Sequence, residues 1–392
     1  MKTYHLKKII LFSILLGSSQ VSWAACTQTL SPGANLATAI SSAAAGSTIC
    51  LNSGNYGSAT LSGISKSSAV TLQSASGVGA TIGITLGSSN NLIFKNLTLS
   101  SLQWSNNSNS NIKVLNNIFT GQMYIYGNGG SQNNLIDGNT FDGISVGASA
   151  REGRLSIYGG GDLIVSNNHF GNKGESDGIQ IGGTGSIIGP GNVFDGLTQD
   201  SYTRHIDSIQ QYGEVNSQTI TGNYFINDTV CIGDYESSAN STVTNNVFIA
   251  TDSNNMRCVL DFGSSTNLNF SHNTVKSLQM RVGAINLSTG STGVIKRNIF
   301  LNNSFTTPGA GFSGSIDSNI FTSSSIVKGT NALIGTPTFV GGSNPTTREG
   351  YQLTTGSIGY STSSDNIMGV STISSGTVVT SIINAPSNLR IQ

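Results

Sequence analysis

The residues best equipped for chemistry stand in two matching segments, Ser176-Asp177-Gly-Ile-Gln180 and Ile206-Asp207-Ser-Ile-Gln210, set 30 residues apart. If that spacing is one turn of a repeating backbone, Asp177 lies over Asp207 and Gln180 over Gln210. Two carboxylates stacked about 5 Å apart repel by roughly 3.3 kcal/mol at an effective dielectric of about 20. Repulsion of that size calls for a cation, a neighbouring arginine or a retained proton, and each of these can be put to chemical use. Tyr202, Arg204 and His205 lead into the second segment, and His205 is the side chain that titrates nearest neutral pH. The plainer alternative is Asp at the start of a strand, capping local backbone.

A second pair follows, Val230-Cys231-Ile-Gly-Asp234-Tyr235 and Arg257-Cys258-Val-Leu-Asp261-Phe262, with Arg281 and Asn286 beyond it. Aligned in the same way, Cys231 meets Cys258, Asp234 meets Asp261 and Tyr235 meets Phe262. The Asp234/Asp261 pair is the expected Ca²⁺ site, because Ca²⁺ collects carboxylate and amide oxygens. Side-chain parity constrains the first pair. If Ile179 and Ile209 point into a core, strict alternation turns Asp177 and Asp207 inward as well. A bend before the strand, at Gly178, is needed to release them.

The elements that carry these residues are legible from a repeat. An Asn followed two residues later by an apolar residue recurs at Asn117, Asn139, Asn168, Asn192, Asn223, Asn246, Asn273, Asn298 and Asn319, with Asn96 as a degenerate start. The intervals run from 21 to 31 residues, the range of solenoid repeats. Between the marks lie short segments that alternate with period two, such as Asn-Leu-Ile-Phe-Lys-Asn-Leu-Thr-Leu at 91–99, separated by Gly, Ser and Asn. The predicted fold is therefore all-β: a right-handed parallel β-helix of about ten coils with an N-terminal cap. The Asn stack as an internal amide ladder and the Phe fill the core. The longest coils, 139–168 and 192–223, carry loops with Arg151, Glu152 and Arg154 and with Asp200, Tyr202, Arg204 and His205.

Composition narrows the function classes. Charged residues are 9% of the 392-residue chain, against roughly 25% in an average soluble domain. With 18 basic and 18 acidic residues, attraction to nucleic acid or an anionic membrane is not on offer. Residues 1–24 have the form of a signal peptide: Lys7 and Lys8, an apolar run from Ile9 to Leu16, and Ser22-Trp23-Ala24 at the cleavage site. The mature chain is expected to be secreted or periplasmic, off the membrane and monomeric. Residues 25–60 are expected to form the capping segment and first coil, with a helix in Ala34–Ala45. Residues 61–370 then form the β-helix, and 371–392 a C-terminal cap and tail. Four cysteines in an oxidising compartment predict the pairs Cys26–Cys50 and Cys231–Cys258, each worth roughly 3.5 kcal/mol in the chain-entropy model.

The secretory start, the Cys26–Cys50 segment, the Asn-marked coils and Thr338-Phe-Val-Gly-Gly-Ser-Asn with Gly350-Tyr-Gln-Leu resemble the right-handed parallel β-helix proteins of the pectate-lyase-like superfamily. That resemblance implies a partner that is an acidic polysaccharide, cleavage by β-elimination or by inverting hydrolysis, possible use of Ca²⁺ and no organic cofactor. The W-x-D-H motif of pectate lyases, the N-T-D, G-H-G and R-I-K set of polygalacturonases and the D-P-H-E element of mannuronan epimerases are all absent. On this footing His205, Asp207, Asp177 and Arg281 are the catalytic candidates. Arg204, Tyr202, Gln180, Gln210, Tyr212, Tyr235 and Arg257 are the candidates for binding substrate. A glycan-binding adhesin solenoid without activity is the alternative from another class.

Overall fold

The computed structural model describes residues 25–372, apart from 105–108, 128–132, 147–151, 160, 162, 172–173, 199–204, 252–257, 277–284, 302–311, 324–328 and 364. The chain winds through about eleven turns. Among the described residues it forms three sheets in which consecutive turns pair in parallel. The first sheet has thirteen strands, from Gln28–Leu30 to Ser313–Asp317; the second has eleven, from Gly54–Ser62 to Val259–Asp261; the third has eight, from His169–Gly171 to Leu333–Ile334. The expected signal peptide lies outside the described residues.

The cap is a short helix, Leu36–Ser42, inside the segment where one was expected. Asn35 caps it by accepting from the Thr38 N–H at 3.0 Å, and its buried face is Leu36, Ala39 and Ile40. That face closes the apolar end of the solenoid. Both expected disulfides are formed, Cys26–Cys50 and Cys231–Cys258, with Cα atoms 5.6 and 4.7 Å apart.

The Asn repeat builds the interior. From Asn117 to Asn319, each ladder Asn donates through Nδ2 to Oδ1 of the next at 2.9–3.2 Å. The residue before each rung takes a left-handed conformation, as Asn116 (φ 53°), Gly191 (φ 82°) and Asn245 (φ 61°) do. This is the turn that swings the chain from the first sheet to the third, and Gly and Asn tolerate it best. Asn96 is that turn residue (φ 52°), not a rung; Leu97 holds the rung position, and its N–H donates to Asn117 Oδ1 at 2.9 Å. Two residues on from the rungs, Phe119, Phe141, Phe170, Phe194, Phe225 and Phe248 stack with centroids 4.3–5.0 Å apart.

The coils end at Leu333–Ile334, short of residue 370, because the following chain has another task. The outer face of the third sheet is apolar in its later turns, with Tyr224, Val247, Ile249, Ile299 and Ile320. Phe339, Tyr351, Leu353, Ile367 and Val370 double back to cover it. Arg348, 4% exposed, pins this segment by donating to Asn245 O and Ser371 O, both at 3.1 Å.

Two ionisable side chains lie inside the core. Arg154, fully buried, donates through Nη1 to Phe141 O at 2.7 Å and Gly171 O at 2.6 Å. Asp228, also fully buried, accepts from the Leu197 N–H at 2.8 Å, and burial pushes its pKa up to about 8. Its folded pKa is above its unfolded value of about 3.9. Its stability contribution is therefore complete at acid pH and is lost as pH rises through about 8. Asp228→Asn keeps the acceptor for Leu197. It is expected to melt higher than the parent at pH above neutral, with the gap closing toward acid pH. Thermal melts across pH check this, and parallel profiles for the two proteins would refute the buried titration.

Candidate functional site

The two matching segments open adjacent strands of the second sheet, Asp177–Thr184 and Asp207–Asn216. Their register pairs Ile179 with Ile209 and Gln180 with Gln210. Alternation breaks at Gly178: a Cβ there would lie 3.0 Å from Leu197 Cδ1 and 3.1 Å from Phe194 Cδ1, both core atoms. The position before Ile179 therefore already faces the core, and Asp177 is turned to the outer side. There Asp177 Oδ1 accepts from the Asp207 N–H at 2.9 Å.

Three further contacts complete the cluster. His205 Nδ1 lies 3.3 Å from Asp207 Oδ2. The Tyr235 hydroxyl donates to Asp207 Oδ1 at 3.2 Å, and its ring centroid is 4.8 Å from that of His205. Asp177 and Asp207 are 1% and 0% exposed, whereas the His205 side chain is 49% exposed. The acids are thus floor and the imidazole is surface. Gly233 makes the room, since a Cβ there would stand 2.6 Å from Asp207 Oδ2 and 2.8 Å from Tyr235 Cε2.

Electrostatics follow from this burial. Desolvation and then the charge of Asp207 hold the Asp177 carboxyl well above the usual carboxylate range. Burial also raises Asp207, with His205 and Tyr235 pulling it back. The bond to Asp207 raises His205, and burial raises Tyr235, which stays a phenol. Both carboxyls are thus pushed toward the protonated form, Asp177 without the imidazole and phenol contacts that favour the charged form of Asp207.

The other expected residues divide. Gln180 and Gln210 are side by side, Gln180 Nε2 donating to Gln210 Oε1, while Tyr158 OH and the Glu152 N–H donate to Gln180 Oε1 at 2.6 and 3.0 Å. Tyr212 and Tyr235 stand on the surface, 40% and 48% exposed. The Asp234/Asp261 pairing is not formed. An irregularity between Val230 and Ile232 advances the register by one residue, so Asp261 pairs with Gly233. Asp234 instead accepts from Ser265 Oγ at 3.2 Å, and Asp261 from the Gly263 N–H and Asn286 Nδ2, each at 3.1 Å. Tyr235 consequently faces solvent while Phe262 is fully buried. Tyr202, Arg204, Arg257 and Arg281 lie outside the described residues.

Tyr124, Tyr126 and Tyr158 escaped the sequence reading. They lie on the same sheet and carry one signal, the alternation of Tyr124-Ile-Tyr126 matched by Ser156-Ile-Tyr158, whose strands pair in register.

Among the described residues, Asp177, His205 and Asp207 are the one group of three metal-competent side chains, their donor atoms all within 4.8 Å. The group fits Ca²⁺ poorly. Ca²⁺ takes six to eight oxygens, whereas here one donor is a ring nitrogen, and the two carboxylate oxygens without a hydrogen bond, Asp177 Oδ2 and Asp207 Oδ2, are buried, the latter 3.3 Å from His205 Nδ1. Asp234 and Asp261 do not share a register position; both Asp261 oxygens and Asp234 Oδ2 accept the bonds given above, while Asp234 Oδ1 is buried without a hydrogen-bond partner.

Three parallel sheets around an Asn ladder, closed by a helical cap and carrying a polar cluster on one outer face, define a right-handed parallel β-helix. No protein-family model matches the sequence, and no curated protein matches it. Solved structures do. One similar structure is a mannuronic acid specific polysaccharide family 6 lyase from human gut microbiota. Its TM-score is 0.50 at 12% identity, covering 78% of this chain and 82% of that one. Another is PfbA, a surface adhesin of Streptococcus pneumoniae, with TM-score 0.53 at 13% identity, covering 76% of this chain and 86% of that one. Identities this low carry the fold, and the activity has to be argued from the site.

Proposed function

We propose that this chain is an exported carbohydrate-active enzyme that cleaves a uronate-containing polysaccharide by β-elimination. The observation that carries the reading is a half-exposed His205 whose Nδ1 lies 3.3 Å from the buried carboxyl of Asp207, which is in turn joined to the buried Asp177. Asp207 on Nδ1 leaves Nε2 to face the substrate. Neutral Nε2 removes the proton α to the uronate carboxylate, the C–O bond to the leaving sugar breaks, and a C=C bond forms. The imidazolium, stabilised by Asp207, returns the proton to the leaving oxygen. Asp177 stays protonated, so Asp207 keeps its charge for His205. Neutralising the uronate carboxylate falls to Arg204, Arg257 and Arg281, the cations expected beside the cluster.

Inverting hydrolysis is disfavoured. It needs two carboxyls about 6.5–9.5 Å apart with a water between them. Here the donor atoms lie within 4.8 Å, and neither acid reaches the surface. Ca²⁺ is not required by this scheme, because a proton relieves the repulsion between the acids. Similarity of fold to a lyase is consistent with the reading, and the two disulfides suit an extracytoplasmic protein.

The test is the ultraviolet absorbance of an unsaturated uronate as the mature protein meets pectate, alginate, chondroitin sulfate and gellan, each with Ca²⁺ and with EDTA. A rise with one polymer, unchanged by EDTA, is the expected result. A rise that EDTA abolishes would put a cation in place of the proton. A flat trace together with a flat reducing-end assay would sink the enzyme and leave a binding solenoid.

A further inference from the structure

The same outer face extends beyond the cluster toward the N-terminal turns, and its character changes there. Tyr124 and Tyr126 share the strand Met123–Tyr126, and the row crosses the second sheet from there to Tyr158 and Tyr212; centroids are 5.0, 5.9 and 6.1 Å apart in the order Tyr126, Tyr124, Tyr158, Tyr212. Tyr126 is 37% exposed and Tyr212 40%. Gly182 keeps the row open: it pairs with Tyr158, and a Cβ there would lie 2.6 Å from Tyr212 O. The row joins the cluster through the bonds from Tyr158 to Gln180 and from Gln180 to Gln210. From Tyr124 through Tyr158 to Tyr212 it runs along the solenoid axis, where each turn rises about 4.8 Å, close to the length of one sugar residue.

Its charge is as informative as its shape. Among the described residues, the strands of the second sheet contain a single basic side chain, Arg154, and that one is buried facing the core. Tyrosine faces and glutamine amides bind sugar rings and hydroxyls, but they offer no counter-charge to a row of carboxylates. The charge of Asp207 at the end of the row adds negative potential.

We propose that this tyrosine–glutamine row is a run of subsites for uncharged sugar residues. The polymer then carries neutral sugars beside the uronate rather than uronates throughout. The inference rests on the reading of the cluster as a cleavage site for its polarity, but not for the binding itself.

The experiment uses the mature chain carrying His205→Gln, so that nothing is turned over. Isothermal titration compares gellan oligosaccharides, in which glucuronate stands among glucose and rhamnose, with oligomannuronate and oligogalacturonate. Each is run at low and high salt. Gellan fragments are expected to bind more tightly, with little response to salt. Binding should fall roughly tenfold with Tyr212→Ala and with Tyr126→Ala, and survive Tyr212→Phe, which keeps the ring. Preference for either homopolyuronate, absence of binding, or indifference to the tyrosine variants would overturn the proposal. Binding as expected from a parent protein without lyase activity would overturn the reading of the cluster alone.

Discussion

His205→Gln is expected to abolish elimination, lowering kcat by at least about 100-fold while leaving the melting temperature within about 1 °C of the parent. General acid–base groups contribute roughly 10²–10⁴-fold. His205 sits half in solvent at the edge of its strand, so its loss costs little packing. The pH profile carries more information than the rate. The reactive form is neutral imidazole, and the bond to Asp207 raises the His205 pKa above the usual histidine range. Activity should therefore climb with pH through that raised value. Asp207→Asn removes the carboxylate, so the acid limb should move down toward about 6.5 as kcat falls. An acid limb that stays in place in Asp207→Asn would show that another group is the base. Asp177→Asn is the informative companion: it imitates the protonated carboxyl and should retain most of the activity.

Asn192→Leu is expected to be the most damaging single change to the scaffold, at about 3 kcal/mol. Asn192 is fully buried. Its Oδ1 accepts from the backbone and side-chain nitrogens of Asn168, both at 3.0 Å, and its Nδ2 donates to Val165 O at 2.8 Å and Asn223 Oδ1 at 2.9 Å. Leucine fills the space and leaves the Asn168 N–H buried without an acceptor. Leu97 is tolerated at the first rung because there it only donates, through its N–H to Asn117, and no earlier rung asks it for an acceptor. Denaturant melts decide the matter, with Asn216→Ala, on an exposed amide pair with Asn240, as a control within about 0.5 kcal/mol of the parent. A loss under about 1 kcal/mol for Asn192→Leu would mean that the ladder is dispensable.

How far the site could be read depended on whether a residue's neighbour lies one whole turn away. The 30-residue match between Asp177-Gly-Ile-Gln180 and Asp207-Ser-Ile-Gln210 already puts the two carboxyls and the two amides together, because a regular turn preserves register. The same logic misplaces Asp234 and Asp261. One extra residue beside the Cys231–Cys258 link shifts the register, and nothing in the two matching segments reveals it. The tyrosine row was hidden for a related reason. Tyr158 and Tyr212 are 54 residues apart, across a turn that offers glycine at the matching place, so no repeat connects them.

By itself, then, the sequence determined the solenoid, its cap and its cysteine pairs. Those features rest on period, on buried amides that must bond to their own kind in successive turns, and on residues tolerant of a left-handed turn. Tertiary structure alone decided which way the acids face, through the break in alternation at Gly178. It also decided how close Tyr235 and His205 come over the notch at Gly233, and it sent the segments holding Phe339, Tyr351, Leu353, Ile367 and Val370 back across the third sheet instead of onward into coils. Each of these turns on a displacement of one residue or on an apolar face needing cover. Such choices are settled by the packing of neighbouring turns, which a period-based reading of one strand at a time does not contain.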